Sequence, residues 1–171
     1  FIWAQVQELP ADGAYSCFFS KSGTYLVVLT RNAVDIWRVA DWTQAIYVDM
    51  DVSFCSISAD DKYVLSNCNG KIALFSFPSF TVFRVFDHMD SSCGLFSPDG
   101  TVFAIVRSRS IYIGQTSDWN VAPLLQGRYM SQINYIEFSF DGQLLMWSDE
   151  QSNIFMSPKP FQSVRKILSR T

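Results

Sequence analysis

The feature that most constrains this chain is a short motif that occurs four times. Each copy joins an apolar residue and a serine to a polar turn, and the four copies read FSKSG, ISADD, FSPDG and FSFDG. Their serines, which are 38, 39 and 42 residues apart, are Ser20, Ser58, Ser97 and Ser139. A period of about 20 to 50 residues indicates a repeat architecture in which each unit packs on its neighbours. The chain therefore contains four copies of one supersecondary unit.

Every copy carries the pattern of four strands, and from each serine the copies align without a gap. A compact apolar run, predicted as a second strand, starts five residues after each serine, at Tyr25, Tyr63, Val102 and Leu144. A predicted third strand contains the residue sixteen after each serine, which is Ile36, Leu74, Ile113 or Phe155. An aromatic residue stands twenty-two after each serine, at Trp42, Phe80, Trp119 and Phe161. Runs of this length between turn residues are typical of strands, and we interpret the aromatic residues as structural plugs that open a fourth strand.

Four strands in each unit of about 40 residues, without a helical period, predict an all-β protein built of four four-stranded β-propeller blades. A β-sandwich is the alternative, but it has no reason to repeat an aromatic residue at one offset four times. The predicted blades are residues 14–50, 51–88, 89–130 and 131–171. Residues 1–13 are predicted to be the end of a preceding blade or a lead-in strand.

The units resemble divergent WD40-type repeats. In that family the third strand commonly ends in a Trp-Asp pair; the pairs here are Trp37-Arg38, Phe75-Ser76, Gly114-Gln115 and Met156-Ser157. A second resemblance, in the segments Cys17 to Gly23 and Pro78-Ser79-Phe80, is to the propellers of eukaryotic translation initiation factor two-A and of subunit b of initiation factor three. WD-type rings usually have about seven blades or more. The resemblance therefore implies that this chain is a fragment of a larger ring or is capped by a partner.

Composition limits the classes of partner. The chain has 13 Lys and Arg against 16 Asp and Glu, which argues against sequence-blind binding of nucleic acid by the whole surface. Its apolar runs are far shorter than a membrane helix needs, so no membrane contact is predicted. The cysteines, which lack metal-binding spacing, are Cys17, Cys55, Cys68 and Cys93. We expect reduced thiols that pack as small buried hydrophobes, and a location in the cytoplasm or the nucleus.

Few residues suit catalysis or metal binding. A triad needs His88 with Asp87 or Asp90, and a metal site needs these residues with Asp49 or Asp51, but a solvated loop is the favoured interpretation. The predicted inner strands read AYSCFFS, VSFCSIS, SCGLFS and INYIEFS, and Glu137 is their one charged residue. The sequence therefore predicts a protein that is not an enzyme, with no catalytic residues, no cofactor, no metal and no small-molecule substrate.

Basic residues recur between the second and third strands of three consecutive repeats. We call this set the basic arc, and its members are Arg31, Lys71, Arg107 and Arg109. Equivalent connections gather on one face of a propeller, so the basic arc is the candidate partner-binding site, interrupted in the fourth repeat by Asp149 and Glu150. It predicts contact with an acidic protein or with RNA phosphates, and a mixed solvated rim is the alternative.

The repeat architecture and the scarcity of catalytic groups predict a non-enzymatic WD-repeat-like scaffold for protein–protein interaction. Its partners would be the other proteins of a multi-subunit assembly. The alternative, implied by the second resemblance, is the propeller part of a translation initiation factor that docks on the small ribosomal subunit and contacts the ribosome or RNA. Salt dependence separates the two because phosphate contacts weaken steeply with salt.

Overall fold

The computed structural model describes residues 8–10, 13–68, 70–86, 93–125 and 131–168. These residues form sixteen strands in four antiparallel sheets, and each sheet contains four strands in sequence order. In this part of the chain no helix is long and apolar enough to cross a membrane. The prediction of an all-β protein with four four-stranded propeller blades is confirmed.

The sheets are numbered as blades in chain order. Blade 1 comprises β1 (Ser16–Phe19), β2 (Tyr25–Leu29), β3 (Ala33–Arg38) and β4 (Gln44–Asp49). Blade 2 comprises β5 (Cys55–Ile57), β6 (Tyr63–Cys68), β7 (Lys71–Ser76) and β8 (Thr81–Phe86). Blade 3 comprises β9 (Cys93–Phe96), β10 (Val102–Arg107), β11 (Ser110–Gln115) and β12 (Val121–Leu125). Blade 4 comprises β13 (Ile133–Phe138), β14 (Leu144–Asp149), β15 (Ile154–Pro158) and β16 (Arg165–Leu168).

The repeated serine closes the turn between the first two strands of each blade. In blade 3 the Val102 N–H donates to Ser97 Oγ (3.1 Å), and the Ser97 hydroxyl donates to Asp99 Oδ1 (2.6 Å). The residue three after the serine has a positive φ in every blade, at Gly23, Asp61, Gly100 and Gly142. Glycine adopts this backbone conformation without steric cost. The motif therefore recurs because the serine hydroxyl, which is buried in blades 1 to 3, and a left-handed residue together satisfy the turn.

Three apolar cores hold the blades together, and each lies between two consecutive blades. The first core includes Val27 and Ile36 of blade 1 with Val64 and Phe75 of blade 2. The second includes Leu65, Ile72 and Leu74 of blade 2 with Phe103 and Ile105 of blade 3. The third includes Ala104 and Ile111 of blade 3 with Leu145, Trp147 and Phe155 of blade 4. Each blade thus covers the apolar face of its neighbour, as in a repeat protein stabilised by nearest-neighbour contacts.

The prediction of an alignment without a gap is wrong in blade 4. In blades 1 and 3 the residue sixteen after the serine pairs with the residue seven after it, as in Val27 with Ile36 and Ala104 with Ile113. In blade 4 the connection from β14 to β15 is one residue longer, and Phe155 pairs with Trp147. Because side chains alternate between the faces of a strand, this single residue moves Phe155 into the core shared with blade 3.

The aromatic residue lies twenty-two residues after the serine in blade 4 as in the other blades. It does so because the connection that follows β15 is one residue shorter and compensates for the longer connection before β15. All four have positive φ, between 54° and 61°, and they are Trp42, Phe80, Trp119 and Phe161. The Phe80 N–H donates to the carbonyl four residues before it, whereas the Phe161 N–H donates to the carbonyl three residues before it. Phe80 and Phe161 are 7% and 5% exposed, so these two rings are plugs as predicted. The fourth strands begin one to four residues after the aromatic positions.

Candidate functional site

The residues of the basic arc lie where second and third strands meet in blades 1 to 3. Arg31 follows β2, Lys71 is the first residue of β7, Arg107 is the last of β10, and Arg109 lies in the next turn. All four residues are exposed. The structure thus places them at equivalent ends of successive blades. Whether they bind a partner stays a prediction.

Asp149, which interrupts the basic arc in blade 4, has a structural role. It is 3% exposed, and its Oδ1 accepts the N–H groups of Gln151 (3.0 Å) and Asn153 (2.9 Å). Burial raises the pKa of the Asp149 carboxyl, but hydrogen bonds, chiefly from Asn153, outweigh burial and leave the pKa below its ordinary value. This carboxylate closes the longer connection between β14 and β15, so its negative charge is held in place by the turn.

The residues weighed for catalysis and metal binding are only partly placed. Asp87, His88 and Asp90 lie outside the described residues. Asp49 and Asp51 are exposed, and within the described ranges no three His, Cys, Asp or Glu side chains are grouped to hold a metal ion. On the inner strand β13, the Tyr135 hydroxyl donates to Glu137 Oε2 (2.7 Å), and this hydrogen bond raises the pKa of Tyr135. Glu137 therefore pairs with a neighbouring residue on its own strand.

The cysteines differ from one another despite their related repeat positions. Cys17, Cys55 and Cys93 are not part of disulfide bonds. Cys17 is exposed, so its interpretation as a small buried hydrophobe is wrong. Cys55 and Cys93 are half-buried, and burial raises the pKa of both thiols. A raised pKa keeps a thiol protonated and poorly nucleophilic at neutral pH.

The outermost strands show a feature that the sequence interpretation missed. β8 is at the edge of blade 2, where it pairs with β7 and has no second partner strand among the described residues. Three of its six residues are exposed and apolar: Val82 (60%), Phe83 (47%) and Val85 (43%). An edge strand offers unpaired N–H and C=O groups, and proteins usually protect such strands with charge or proline. The sequence run TVFRVF could have revealed this feature. Apolar and polar residues do not alternate along it, so both faces of the strand carry apolar side chains.

Two of the other outer strands, β12 and β16, carry that protection. β12 contains Pro123, which cannot donate a ladder hydrogen bond, and β16 begins with Arg165 and Lys166. β4 ends in Asp49. β8 carries one charged residue, Arg84, whose guanidinium lies 5.4 Å from the centre of the Phe86 ring. We call the exposed side of Val82, Phe83 and Val85 the β8 rim.

The open face of blade 4 is also apolar. Leu144 and Met146 are 37% and 41% exposed. The residues equivalent to Met146 in blades 1 to 3 are fully buried under the next blade, and they are Val27, Leu65 and Ala104. Blade 4 therefore presents the same kind of face that the three preceding blades bury.

Comparisons with solved structures identify the same architecture. The Kuenenia stuttgartiensis hydrazine synthase matches with a TM-score of 0.73 at 14% identity, over 98% of this chain and 53% of that one. The Myceliophteria thermophila Cps50 (Swd1) β-propeller domain matches with a TM-score of 0.75 at 14% identity, over 96% and 59%. The dihydro-heme d1 dehydrogenase NirN, in complex with DHE, matches with a TM-score of 0.75 at 15% identity, over 96% and 38%. This chain thus spans less than two thirds of each matched chain.

These likenesses show the β-propeller fold alone, because the identities are too low to carry function. No protein-family model matches the chain, and no curated protein sequence matches it. The prediction that the chain is not an enzyme is contradicted. Hydrazine synthase and dihydro-heme d1 dehydrogenase are enzymes with this fold, so neither the fold nor a repeat architecture excludes catalysis.

Proposed function

We propose that this chain is part of a WD-type propeller platform that binds another protein of a multi-subunit assembly through the β8 rim. The occupant is an extended segment of the partner protein, which adds to the outer edge of β8 as a further strand. The observation that supports the proposal is the exposure of three apolar side chains on an edge strand that contains no proline and a single charged residue. Strand addition supplies main-chain hydrogen bonds, and the apolar side chains supply contact area.

The chemistry of the rim favours a protein strand over a nucleic acid. Arg84 is the one charged residue of β8, and its guanidinium lies against Phe86. A phosphate backbone needs several cations, whereas an extended peptide needs unpaired backbone groups and apolar contacts. The blade 4 face has a different occupant in this proposal: a further blade of the same ring, packed as blades 1 to 4 pack on one another.

The test compares companion proteins of the intact protein, purified from its natural source in moderate salt with and without ribonuclease. Val82→Lys introduces the charge that natural edge strands use against pairing. Ile167→Lys is the matched control, because Ile167 is 48% exposed on the outer strand of blade 4. We expect to recover a companion protein that resists ribonuclease. The Val82→Lys variant should recover at least about tenfold less of it, a change equal to about 1.4 kcal/mol, whereas the Ile167→Lys variant should recover the native amount.

Two results would overturn the proposal. The first is recovery that Val82→Lys leaves unchanged, since the rim would then make no contact. The second is recovery of small-subunit ribosomal proteins that is lost on ribonuclease treatment. That outcome would favour the alternative implied by the initiation-factor resemblance, with the basic arc on RNA.

A further inference from the structure

A cavity of about 330 Å³ lies at the junction of blades 2 and 3, and we call it the junction pocket. Blade 2 contributes Asp60 and Tyr63 to its wall, and blade 3 contributes Thr116 and Trp119. The ring centres of Tyr63 and Trp119 are 4.7 Å apart, so two aromatic side chains form one side. Asp99 also lines the pocket, but its carboxylate is bound by Lys159. The pocket therefore combines an aromatic wall with the carboxylate of Asp60.

The equivalent place at the next junction is occupied by a lysine of the chain itself. Lys159 of blade 4 is structurally equivalent to Thr116 of blade 3. The Lys159 N–H donates to the Gln143 carbonyl (2.8 Å), and the Thr116 N–H donates to the Thr101 carbonyl (3.0 Å). Each acceptor is the residue four after the turn serine of its own blade. Lys159 reaches back to blade 3, where its Nζ lies 2.5 Å from Asp99 Oδ2 and donates to Thr101 Oγ1 (2.9 Å).

The two turn aspartates are equivalent as well. Asp99 Oδ1 accepts the Ser97 hydroxyl (2.6 Å) and the Thr101 N–H (3.1 Å), which leaves Oδ2 for the ammonium of Lys159. Asp60 Oδ1 likewise accepts the Ser58 hydroxyl (2.7 Å) and the Lys62 N–H (3.2 Å). Asp60 thus keeps Oδ2 in the position that binds an ammonium at the next junction.

Thr116 cannot reach Asp60 as Lys159 reaches Asp99. Its hydroxyl donates instead to the Gly100 carbonyl of its own blade (2.7 Å). The space that a lysine side chain crosses at the junction of blades 3 and 4 is consequently open at the junction of blades 2 and 3. Among the described residues Asp60 forms an ion pair with Lys62, whose Nζ is 3.4 Å from Oδ2 and whose side chain is 71% exposed. An exposed pair of this kind contributes little to stability, so an incoming ammonium exchanges with it at small cost.

We propose that the junction pocket takes a lysine side chain of the bound protein, with the ammonium on Asp60 Oδ2 and the aliphatic stem along Trp119 and Tyr63. The inference rests on the proposed binding at the β8 rim, because Phe83 of that rim contacts both rings, at 5.1 Å from Tyr63 and 5.7 Å from Trp119. A segment on β8 therefore passes beside the pocket. An ammonium fits better than a guanidinium, since a bidentate fork needs both carboxylate oxygens and Oδ1 is already used.

The direct test uses Nα-acetyl-lysine methylamide as the probe and Nα-acetyl-norleucine methylamide as its uncharged match. Binding is followed by the indole N–H resonance of Trp119, assigned with Trp119→Phe. We expect a saturable shift with the lysine probe and at least tenfold weaker binding of the norleucine probe. Asp60→Asn should lose the shift, whereas Asp141→Asn, at the equivalent turn position of blade 4, should keep it. A shift of equal size with norleucine, or one that survives in Asp60→Asn, would overturn the proposal.

A second variant makes the test independent of how Asp60→Asn folds. Thr116→Lys copies Lys159 into the pocket, so it should block the probe and raise the melting temperature by about 2–4 °C. Gln115→Lys, which adds the same charge at the neighbouring exposed residue, should do neither. Probe binding that Thr116→Lys leaves intact would also overturn the proposal. The probe needs no partner and the companion-protein test needs no probe, so failure of the rim and failure of the pocket are distinguishable.

Discussion

The packing of blade 2 on blade 3 can be tested with two small substitutions that face each other across the junction. Leu65 of β6 is fully buried in the core shared by these blades. A Cβ atom placed on Gly94 of β9 would lie 2.8 Å from Leu65 Cδ2 and 3.1 Å from the Phe54 ring. Gly94→Ala therefore overpacks this spot, and Leu65→Ala empties it.

The structure sets the expected magnitudes. Leu65→Ala removes three buried carbons at about 0.8 kcal/mol each, and the remaining cavity adds about 1 kcal/mol, so the loss is about 3 kcal/mol. Gly94→Ala alone should cost about 1–3 kcal/mol through overpacking. In the Leu65→Ala background the added methyl group enters vacated space. The double variant should consequently be more stable than the sum of the single losses predicts, by about 1 kcal/mol or more.

Urea denaturation followed by tryptophan fluorescence measures all four members of this cycle. The midpoint change of Leu65→Ala corresponds to a melting temperature lower by about 6–12 °C for a chain of this size. Val82→Ala is the control, because Val82 is 60% exposed and its truncation should cost less than about 0.5 kcal/mol. Strict additivity of Leu65→Ala and Gly94→Ala would refute the reasoning, since it would mean that blades 2 and 3 do not touch at this point.

Polar contacts between blades and the basic arc give three more expected outcomes. Asp61→Ala removes the carboxylate that accepts the Lys21 and Ser22 N–H groups of blade 1 (2.8 and 3.0 Å), and urea denaturation should show a loss of about 1–3 kcal/mol; an unchanged midpoint would contradict this contact. Burial raises the pKa of Asp99, but the hydrogen bonds from Lys159 and other donors outweigh burial and leave the pKa well below the ordinary value. The ionised Asp99 therefore stabilises the folded state fully above pH about 4, and this stabilisation is lost as pH falls further. Asp99→Asn should therefore be less stable than the native chain at neutral pH, and thermal melts should converge below pH about 4; a constant gap would argue against the ionised carboxylate. If the basic arc contacts RNA phosphates, replacing all four of its residues by glutamine should reduce the slope of log binding constant against log salt concentration by about 3 for a single-stranded RNA probe. An unchanged slope would exclude the basic arc as the RNA contact. The replaced residues are Arg31, Lys71, Arg107 and Arg109.

The sequence by itself determined the four-bladed architecture. The serine motif, the apolar runs and the left-handed turn residues are local signals, and each acts within about ten residues, so their repetition specified strands and turns without knowledge of distant contacts. The exposed position of the basic arc was likewise readable, because connections between strands lie at the surface. The fold was a poor guide to activity, as the two enzymes with this architecture show.

Only the tertiary structure decided which side chains face each other across blade junctions. One additional residue between β14 and β15 moves Phe155 to the other face of its strand, and no local sequence signal predicts that change. Asp99 binds Lys159 from sixty residues away, whereas the equivalent Asp60 faces a threonine that is too short to reach it. Such differences depend on side-chain length and register between elements far apart in the chain. The physical reason is that local signals specify each blade, but contacts between blades arise only when the packed geometry brings them within reach.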